Sequence, residues 1–503
     1  MIASIMIQEA AQATTELQAQ FNDVFSGGAA AALMPFTALA VGALLMLLVD
    51  IIKGGAKLRP VVVIASLLTS AFCAWNQIGE PASAVLGGTY LVSSATAAFS
   101  LIFAIGALFA WVYGIGYYEG KLQEFRGEHD MLMLSATAGM ILMVGAGDLL
   151  VFFIGLEILS LPLYSLAAFR RARHDSIEAG LKYFLLGAFA AAFFLFGAAL
   201  IYTATGTVNL AELASLYQGE VAQSPIALIG GALLMAGIFF KVSVFPFHLW
   251  VPDVYQGSPT PITTLMATGT KAAAFGFLIP ASFLLPPAAT GIIAAIALLT
   301  MAAGNLGALV QTNVKRMLAY SGIAHAGTVM LVMAVILASG GDSDVRDESM
   351  NATLFYMAAY LFTSTGAFGL LAMLEREGEH MLTLNGLRGL ARRRPAVAGA
   401  MTLFMLSLGG IPATGGFMGK LYVFMLLVKQ DMIAVAILGA LLSVIALGYY
   451  LRIIVTMWME PLGEGEEAKL APVTLPASIV TGLCVAGVLV MGLMPGWLLG
   501  LLG

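Results

Sequence analysis

Apolar runs of about 20 residues or more recur along almost the whole chain, each closed by polar or glycine-rich residues. A helix that crosses the hydrocarbon core of a bilayer needs about 20 apolar residues. Only 10% of the residues are charged, against about 25% in soluble proteins. The sequence therefore excludes a soluble enzyme and predicts a polytopic, all-α membrane protein. The predicted spans 1 to 14 lie at 31–52, 60–78, 94–117, 131–147, 149–169, 176–203, 225–255, 261–284, 289–310, 316–338, 351–374, 396–428, 431–458 and 474–500.

The basic residues concentrate in alternate loops. The positive-inside rule places those loops in the cytoplasm, and an even number of spans then puts both termini on the periplasmic side. The opposite loops hold Arg346 and Lys429 together with several acids. The cytoplasmic set comprises Lys53, Lys57, Arg59, Lys121, Arg126, Arg170, Arg171, Arg173, Lys315, Arg316, Arg376, Arg388, Arg392, Arg393 and Arg394.

Composition excludes several other classes of protein. The net charge of −5 lacks the basic footprint of a nucleic-acid-binding protein. Cys73 and Cys484 are the only cysteines and lie far apart, so no disulfide framework or iron–sulfur ligand set is expected. Residues 1–30 contain no Lys or Arg, so we expect no cleaved signal peptide there.

Spans 7 and 12 share a local pattern. K-V-S-V-F begins at Lys241 and K-L-Y-V-F begins at Lys420, each in a long run that contains proline. The match predicts broken helices and two five-helix repeats, spans 4–8 and 9–13. Because five is odd, tandem copies must be inverted, as in many transporters. The expected organisation is one integral membrane domain, 1–503, divided into N-terminal helices (1–130), first repeat (131–284), second repeat (289–458) and a C-terminal helix (474–500).

Five ionisable residues lie inside the apolar runs: Glu157, Lys182, Lys241, Lys271 and Lys420. A charge at the centre of a spanning helix costs about 2.5–3.5 kcal/mol on insertion scales. The four lysines together would cost about 10–14 kcal/mol without compensation. We therefore expect a functional role for most of them.

Some of these residues leave a structural interpretation open. Lys182 lies nearer the end of its helix, where a packing ion pair or an extended side chain that reaches the interface also explains it. His248 and His325 are flanked by apolar residues, and each is either a hydrogen-bonded core histidine or a proton relay. Two isolated histidines make a haem site improbable, and no motif predicts metal- or cofactor-binding residues in this chain.

These residue types favour proton handling. Burial disfavours the charged form of lysine and a nearby carboxylate favours it. Moving a charge near a buried lysine therefore adds or removes its proton. An interrupted helix beside Lys241 or Lys420 would admit water and bend.

Five stretches resemble the antiporter-like N subunit of bacterial proton-translocating NADH:quinone oxidoreductase, respiratory complex I. The histidine motif F-P-F-H-L-W-V-P-D-V-Y-Q-G-S-P distinguishes this subunit from its sister subunits L and M. The resemblance covers roughly residues 30–500. The stretches are G-D-L-L-V-F-F-I-G-L-E-I-L-S-L-P-L-Y (147–164), L-K-Y-F-L-L-G-A-F (181–189), F-K-V-S-V-F-P-F-H-L-W-V-P-D-V-Y-Q-G-S-P (240–259), N-V-K-R-M-L-A-Y-S-G-I-A-H-A-G (313–327) and G-G-I-P-A-T-G-G-F-M-G-K (409–420).

The resemblance implies fourteen helices and the same two inverted repeats. It implies that Glu157 and Lys241 form a coupling ion pair, that Lys271 is the central relay and that Lys420 gates the positive side. Lys182 and His325 would be auxiliary polar residues, and His248 matches the histidine after the span 7 proline.

The resemblance also implies partners. NADH, FMN, iron–sulfur clusters and quinone would be bound by other subunits and none by this chain, which would contact sister antiporter-like and small membrane subunits in the bacterial inner membrane. The alternatives are an Mrp-type cation/proton antiporter subunit and a structural membrane scaffold whose buried charges serve packing.

Overall fold

The computed structural model describes residues 27–52, 55–119, 127–376, 378–461 and 473–500. Residues 1–26, for which no signal peptide is expected, and the loop residues Lys53, Lys121 and Arg126 lie outside them. The described helices are α1 Gly27–Ile51, α2 Arg59–Gln77, α3 Ser94–Glu119, α4 Gly127–Val144, α5 Leu149–Ala167, α6 His174–Thr205, α7 Leu210–Leu216, α8 Pro225–Val242, α9 Trp250–Gly257, α10 Thr260–Leu265, α11 Lys271–Leu278, α12 Thr290–Leu309, α13 Val314–Ala338, α14 Ser343–Glu375, α15 Leu390–Arg393, α16 Pro395–Gly409, α17 Gly415–Lys429, α18 Ile433–Trp458, α19 Leu475–Leu493 and α20 Pro495–Gly500.

Short elements connect these helices. Single turns of 3₁₀-helix lie at Gly55–Lys57, Glu220–Gln223, Pro280–Leu284, Pro287–Ala289, Glu379–Leu382 and Asn385–Leu387. A β-hairpin, β1 Ser83–Val85 and β2 Tyr90–Val92, follows α2. It packs on the link between α4 and α5, since the Leu91 N–H donates to the Gly145 carbonyl.

The polytopic all-α fold predicted from the apolar runs is confirmed. Eleven of the described helices are long and apolar enough to cross a membrane. The other three predicted spans correspond to α4, to α10 and α11, and to α16 and α17. Each predicted span thus contains helix, while the number of crossings and the inverted repeats stay predictions.

The predicted breaks in spans 7 and 12 are present. α8 ends at Val242, Ser243 adopts a left-handed conformation (φ 68°), and α9 begins only at Trp250. α16 ends at Gly409, is capped by left-handed Gly410 and is followed by α17 from Gly415. Glycine accepts positive φ without steric cost. Proline, at Pro246 and Pro412, has no N–H to donate to a helix.

The two matching segments do not occupy corresponding positions around these breaks. Lys241 is the penultimate residue before its break, whereas Lys420 lies in the second turn after its own. The K-x-x-V-F match therefore does not align structurally equivalent positions of the two segments.

The core of the molecule is built around α13 and α14. About 94% of the most apolar window of each is buried, against 33% for α6 and α18. The exposed faces of α6 and α18 carry large apolar side chains such as Phe189 and Leu441, as expected for contact with lipid. Residues in the apolar windows of α13 and α14 are consequently packed against other parts of this chain.

Candidate functional site

Lys241 lies in a buried pocket between α5, α6 and α8. Its side chain is 2% exposed, and its Nζ donates to Ser160 Oγ at 2.7 Å and to Tyr183 Oη at 3.2 Å. The ammonium also lies 5.3 Å from the centre of the Tyr183 ring, a favourable cation–π distance. In the described part of the chain, the partners of this ammonium are two hydroxyl oxygens and an aromatic face.

Glu157 and Lys241, the expected coupling pair, are neighbours that make no direct ion pair. No nitrogen–oxygen distance between these two described residues is within 4.0 Å. Glu157 lies one turn before Ser160 on α5 and is half-buried, and positions three apart share a helix face. The hydroxyl of Ser160 thus takes the place at Lys241 that the sequence assigned to the carboxylate.

Lys182 belongs to a partly exposed ion cluster. Its Nζ is 2.7 Å from Asp253 Oδ2 and 2.7 Å from Glu178 Oε1, with a side chain 40% exposed. Asp253 also accepts from Arg316 Nη1 at 2.6 Å. The cluster joins α6, α9 and α13, so the packing ion pair that was left open for Lys182 is present.

Lys271 is buried against the backbone of α13. Its side chain is 1% exposed, and Nζ donates to the Gly322 carbonyl at 2.6 Å. A π-helical segment, Met266–Thr270, immediately precedes it, and such segments often occur at functional sites. The Tyr255 ring centre lies 5.9 Å from Nζ.

His325 lies one turn beyond Gly322 on α13 and is held by two tyrosines. Its Nδ1 is 2.6 Å from Tyr356 Oη and its Nε2 is 3.3 Å from Tyr450 Oη. Its ring centre lies 5.1 Å from that of Tyr360. A small cavity lined by His325 and Lys420 joins these two residues.

Lys420 reaches back across the break to the end of α16. It is 8% exposed, and its Nζ donates to the carbonyls of Leu408 and Gly409 at 2.9 and 3.1 Å. The last carbonyls of a helix have no intrahelical partner, and a cation is favoured there by the helix dipole. Lys420 therefore compensates the C-terminal end of the half-helix.

His248 lies in the break between α8 and α9, beside the ring of Phe245 at 5.7 Å. It is buried, and its Nδ1 has no hydrogen-bond partner among the described residues. The structure does not bring His248 into hydrogen-bond contact with another predicted site residue.

The sequence interpretation missed the hydroxyl groups that contact Lys241 and His325. Serine and tyrosine are common in apolar runs, and only the fold shows which of their hydroxyls lie within hydrogen-bond distance of a lysine or histidine nitrogen. Those that do belong to Ser160, Tyr183, Tyr356 and Tyr450. A signal was nevertheless present, since Ser160 is one turn from Glu157 and Tyr183 adjoins Lys182.

A second missed group is the buried carboxylate at the end of α14. Glu375 accepts from Arg170 Nη1 at 2.9 Å and from Tyr117 Oη at 3.0 Å, and Thr260 also donates to it. It ties α3, the loop after α5, α10 and α14 together. We interpret this cluster as a structural tie because every contact pairs it with a donor.

Known proteins share both the sequence and this architecture. The family described as NADH:quinone oxidoreductase/Mrp antiporter, TM, matches residues 146–446. NADH-quinone oxidoreductase subunit N of Myxococcus xanthus (strain DK1622) is 37% identical over 498 residues, covering 93% of this chain and 95% of that protein.

Two solved membrane complexes contain chains with a similar fold. A chain of respiratory complex I from Thermus thermophilus with bound aureothin has a TM-score of 0.78 and 35% identity, covering 93% of this chain and 99% of its own. A chain of the Mrp complex from Dietzia sp. DQ12-45-1b has a TM-score of 0.80 at 20% identity, covering 94% and 95%, and shares the fold. The chain belongs to the NADH:quinone oxidoreductase/Mrp antiporter membrane family and, within it, to the subunit N group of NADH–quinone oxidoreductases.

Proposed function

We propose that this chain is a proton-translocating membrane subunit of an NADH:quinone oxidoreductase and that protons pass along Lys241, Lys271, His325 and Lys420. One observation carries the proposal. Lys241, Lys271 and Lys420 are buried inside the membrane domain, and the hydrogen bonds of their ammonium groups to the described residues all go to hydroxyl or carbonyl oxygens. Among the described residues, no carboxylate oxygen lies within 4.0 Å of any of the three.

The physical reason is the cost of a buried charge. Neutral oxygens offset part of the desolvation of an ammonium, while a buried ion without an opposite charge stays expensive. A charge that moves near one of these lysines therefore changes the relative stability of its charged and neutral forms. A lysine held by a carboxylate would be locked in the charged form.

Glu157 is suited to be that moving charge. It shares a face of α5 with Ser160, which Lys241 contacts, so its carboxylate is on the side of α5 that faces the ammonium. Pairing would favour the charged lysine, and separation would favour release of its proton toward Lys271. His248 and Lys182 are assigned supporting roles, His248 at the break and Lys182 in the ion cluster that joins α6 to α9.

The surroundings of the chain follow from the same proposal. NADH, FMN, iron–sulfur clusters and quinone are bound by partner subunits, and this chain contacts sister antiporter-like and small subunits of the membrane arm. Its fourteen helices cross the bacterial inner membrane with both termini on the periplasmic side, as the basic loops predict.

Single substitutions in the assembled complex test the proposal. We expect Lys241→Ala, Lys271→Ala and Glu157→Gln each to reduce NADH-driven acidification of inverted membrane vesicles several-fold. Lys429→Ala is the control, since Lys429 is exposed and paired with Glu348 at 2.8 Å. NADH oxidation with an artificial acceptor measures the amount of assembled complex. Wild-type pumping in all three site variants would contradict the proposal.

Two alternatives make different predictions. An Mrp-type antiporter subunit would purify without flavin and iron–sulfur subunits, and its vesicles would exchange cations for protons without NADH. A structural scaffold would lose assembly in the same variants while the complex that does assemble pumps normally. The 20% identity to the Mrp chain supports a common fold, whereas the subunit N relative is much more similar.

A further inference from the structure

An aromatic cluster fills the space between Lys241 and Lys271. The Tyr183 ring, beside Lys241, stacks on Trp250 with centres 4.5 Å apart and an angle of 9°. Trp250 meets the edge of Tyr255 at 6.2 Å, and Tyr255 lies beside Lys271. The two lysines of the proposed pathway are thus connected through three aromatic side chains that sit in one continuous contact.

The hydroxyl of Tyr255 is the unusual group in this cluster. Tyr255 is fully buried, and its Oη has no hydrogen-bond partner among the described residues. A buried hydroxyl without a hydrogen-bond partner is destabilising, and buried tyrosines usually have one. The chain therefore places a destabilising, unpaired hydroxyl between the two lysines of the proposed pathway, which suggests a function for that hydroxyl.

The neighbours of this hydroxyl lie on both sides of it. On one side, the Tyr255 ring contacts Trp250, which stacks on Tyr183, and the Tyr183 hydroxyl accepts from Lys241. On the other side, the centre of the Tyr255 ring lies 5.9 Å from Lys271 Nζ. Tyr360 Oη and Lys271 Nζ approach a common point, since a Cβ added at Gly322 would lie 3.0 Å from one and 2.7 Å from the other. The Tyr255 hydroxyl is therefore placed between the surroundings of the two lysines.

We propose that Tyr255 is a relay residue that carries the proton from the Lys241 side to Lys271, an inference that rests on the proposed function. In this step the Tyr255 oxygen accepts a proton delivered from Lys241 through the Tyr183 hydroxyl. Tyr255 releases its own hydroxyl proton to the neutral amine of Lys271. Lys241 ends neutral, Lys271 ends as an ammonium, and both tyrosines keep one proton each.

A single substitution at Tyr255 tests the role of its hydroxyl without removing an observed hydrogen bond. Because Tyr255 Oη bonds to none of the described residues, Tyr255→Phe removes no observed contact and should leave assembly and thermal stability unchanged. We expect it to abolish at least half of the pumping that Lys271→Ala abolishes, measured as NADH-driven acidification per assembled complex. Thr353→Val is the matched control, because Thr353 Oγ1 is also buried and unpartnered among the described residues. It lies about four turns before Phe368, the α14 residue whose ring is beside Tyr255.

The outcomes separate the two proposals. If Lys241→Ala, Lys271→Ala and Glu157→Gln all pump normally, the proposed function is wrong. If Lys271→Ala loses pumping and Tyr255→Phe keeps it, only the role of Tyr255 is wrong. Loss of assembly in Tyr255→Phe would show that the hydroxyl has a structural partner, and an equal loss of pumping in Thr353→Val would show a general packing effect. Either result would overturn the proposal.

Discussion

At the scale of single residues, the site is defined by neutral partners. Lys241 is held by two hydroxyls and Lys271 by a backbone carbonyl, whereas the partly exposed Lys182 has two carboxylates. A charged partner stabilises an ammonium strongly and would resist its deprotonation. The contrast separates lysines suited to exchange a proton from one suited to join helices.

Gly322 tests how closely Lys271 must approach α13. A Cβ at this position would lie 2.7 Å from Lys271 Nζ, so Gly322→Ala should displace the amine from the carbonyl that it contacts. We expect pumping per assembled complex to fall several-fold in the vesicle assay. The control is Gly399→Ala on α16, where an added Cβ meets nothing within 4 Å and where alanine should stabilise the helix by about 0.5–1 kcal/mol. Equal pumping in the two variants would contradict a requirement for this contact.

At the scale of elements, the two broken helices place their lysines differently. Lys241 lies in the last turn of the half-helix α8, and its side chain turns toward α5 and α6. Lys420 lies in the second turn of the half-helix α17, and its side chain turns back to the carbonyl end of α16. An interrupted helix exposes backbone groups that must find partners inside the membrane. Lys420 is such a partner, and the loss of its proton would leave those carbonyls without a cation.

Gly410 tests the break in span 12. It has a φ of 83°, and an added Cβ would lie 3.1 Å from Lys420 Cδ. Gly410→Ala should therefore cost about 1–2 kcal/mol of backbone strain and also shift the lysine, with a loss of pumping. Gly340→Ala incurs similar strain at a φ of 72° with nothing within 4 Å of its Cβ.

We expect both alanine variants to lower the thermal stability of the complex by comparable amounts. Only Gly410→Ala should lower proton transport per assembled complex. A similar transport defect in Gly340→Ala would mean that strain alone, without displacement of Lys420, explains the result.

At the scale of the whole molecule, several residues of the proposed proton pathway gather around α13 and α14. Lys271 docks on α13, His325 belongs to α13, and Tyr356 and Tyr360 belong to α14. These two helices are the most deeply buried of the apolar helices. Because their apolar windows are packed against other parts of this chain, polar groups there interact mainly with one another.

The predicted orientation can be measured on the whole chain. We expect Asp344→Cys to react with a membrane-impermeant thiol reagent from the periplasmic side and Asn385→Cys to react from the cytoplasmic side. Both positions are exposed. The native thiols would first be replaced by Cys73→Ser and Cys484→Ala. Labelling of both positions from the same side would contradict the loop assignment.

Long apolar runs, the breaks at Pro246 and Gly410, and the buried positions of Lys241, Lys271 and Lys420 could all be predicted from sequence. The reason is that bilayer thickness and the cost of intramembrane charge act on each segment locally. The packing of Lys182 into an ion cluster could not be predicted, because Asp253 and Arg316 reach it only through tertiary contacts. For the same reason the hydroxyls at Lys241, the gap to Glu157 and the aromatic link through Tyr255 emerge only from the fold. The sequence by itself determined that Lys241, Lys271 and Lys420 are buried, because each lies in an apolar run long enough to cross the bilayer. Only the tertiary structure decided which groups they touch, that Lys182 is partly exposed and that Glu375 is buried, since these depend on contacts between helices distant in sequence.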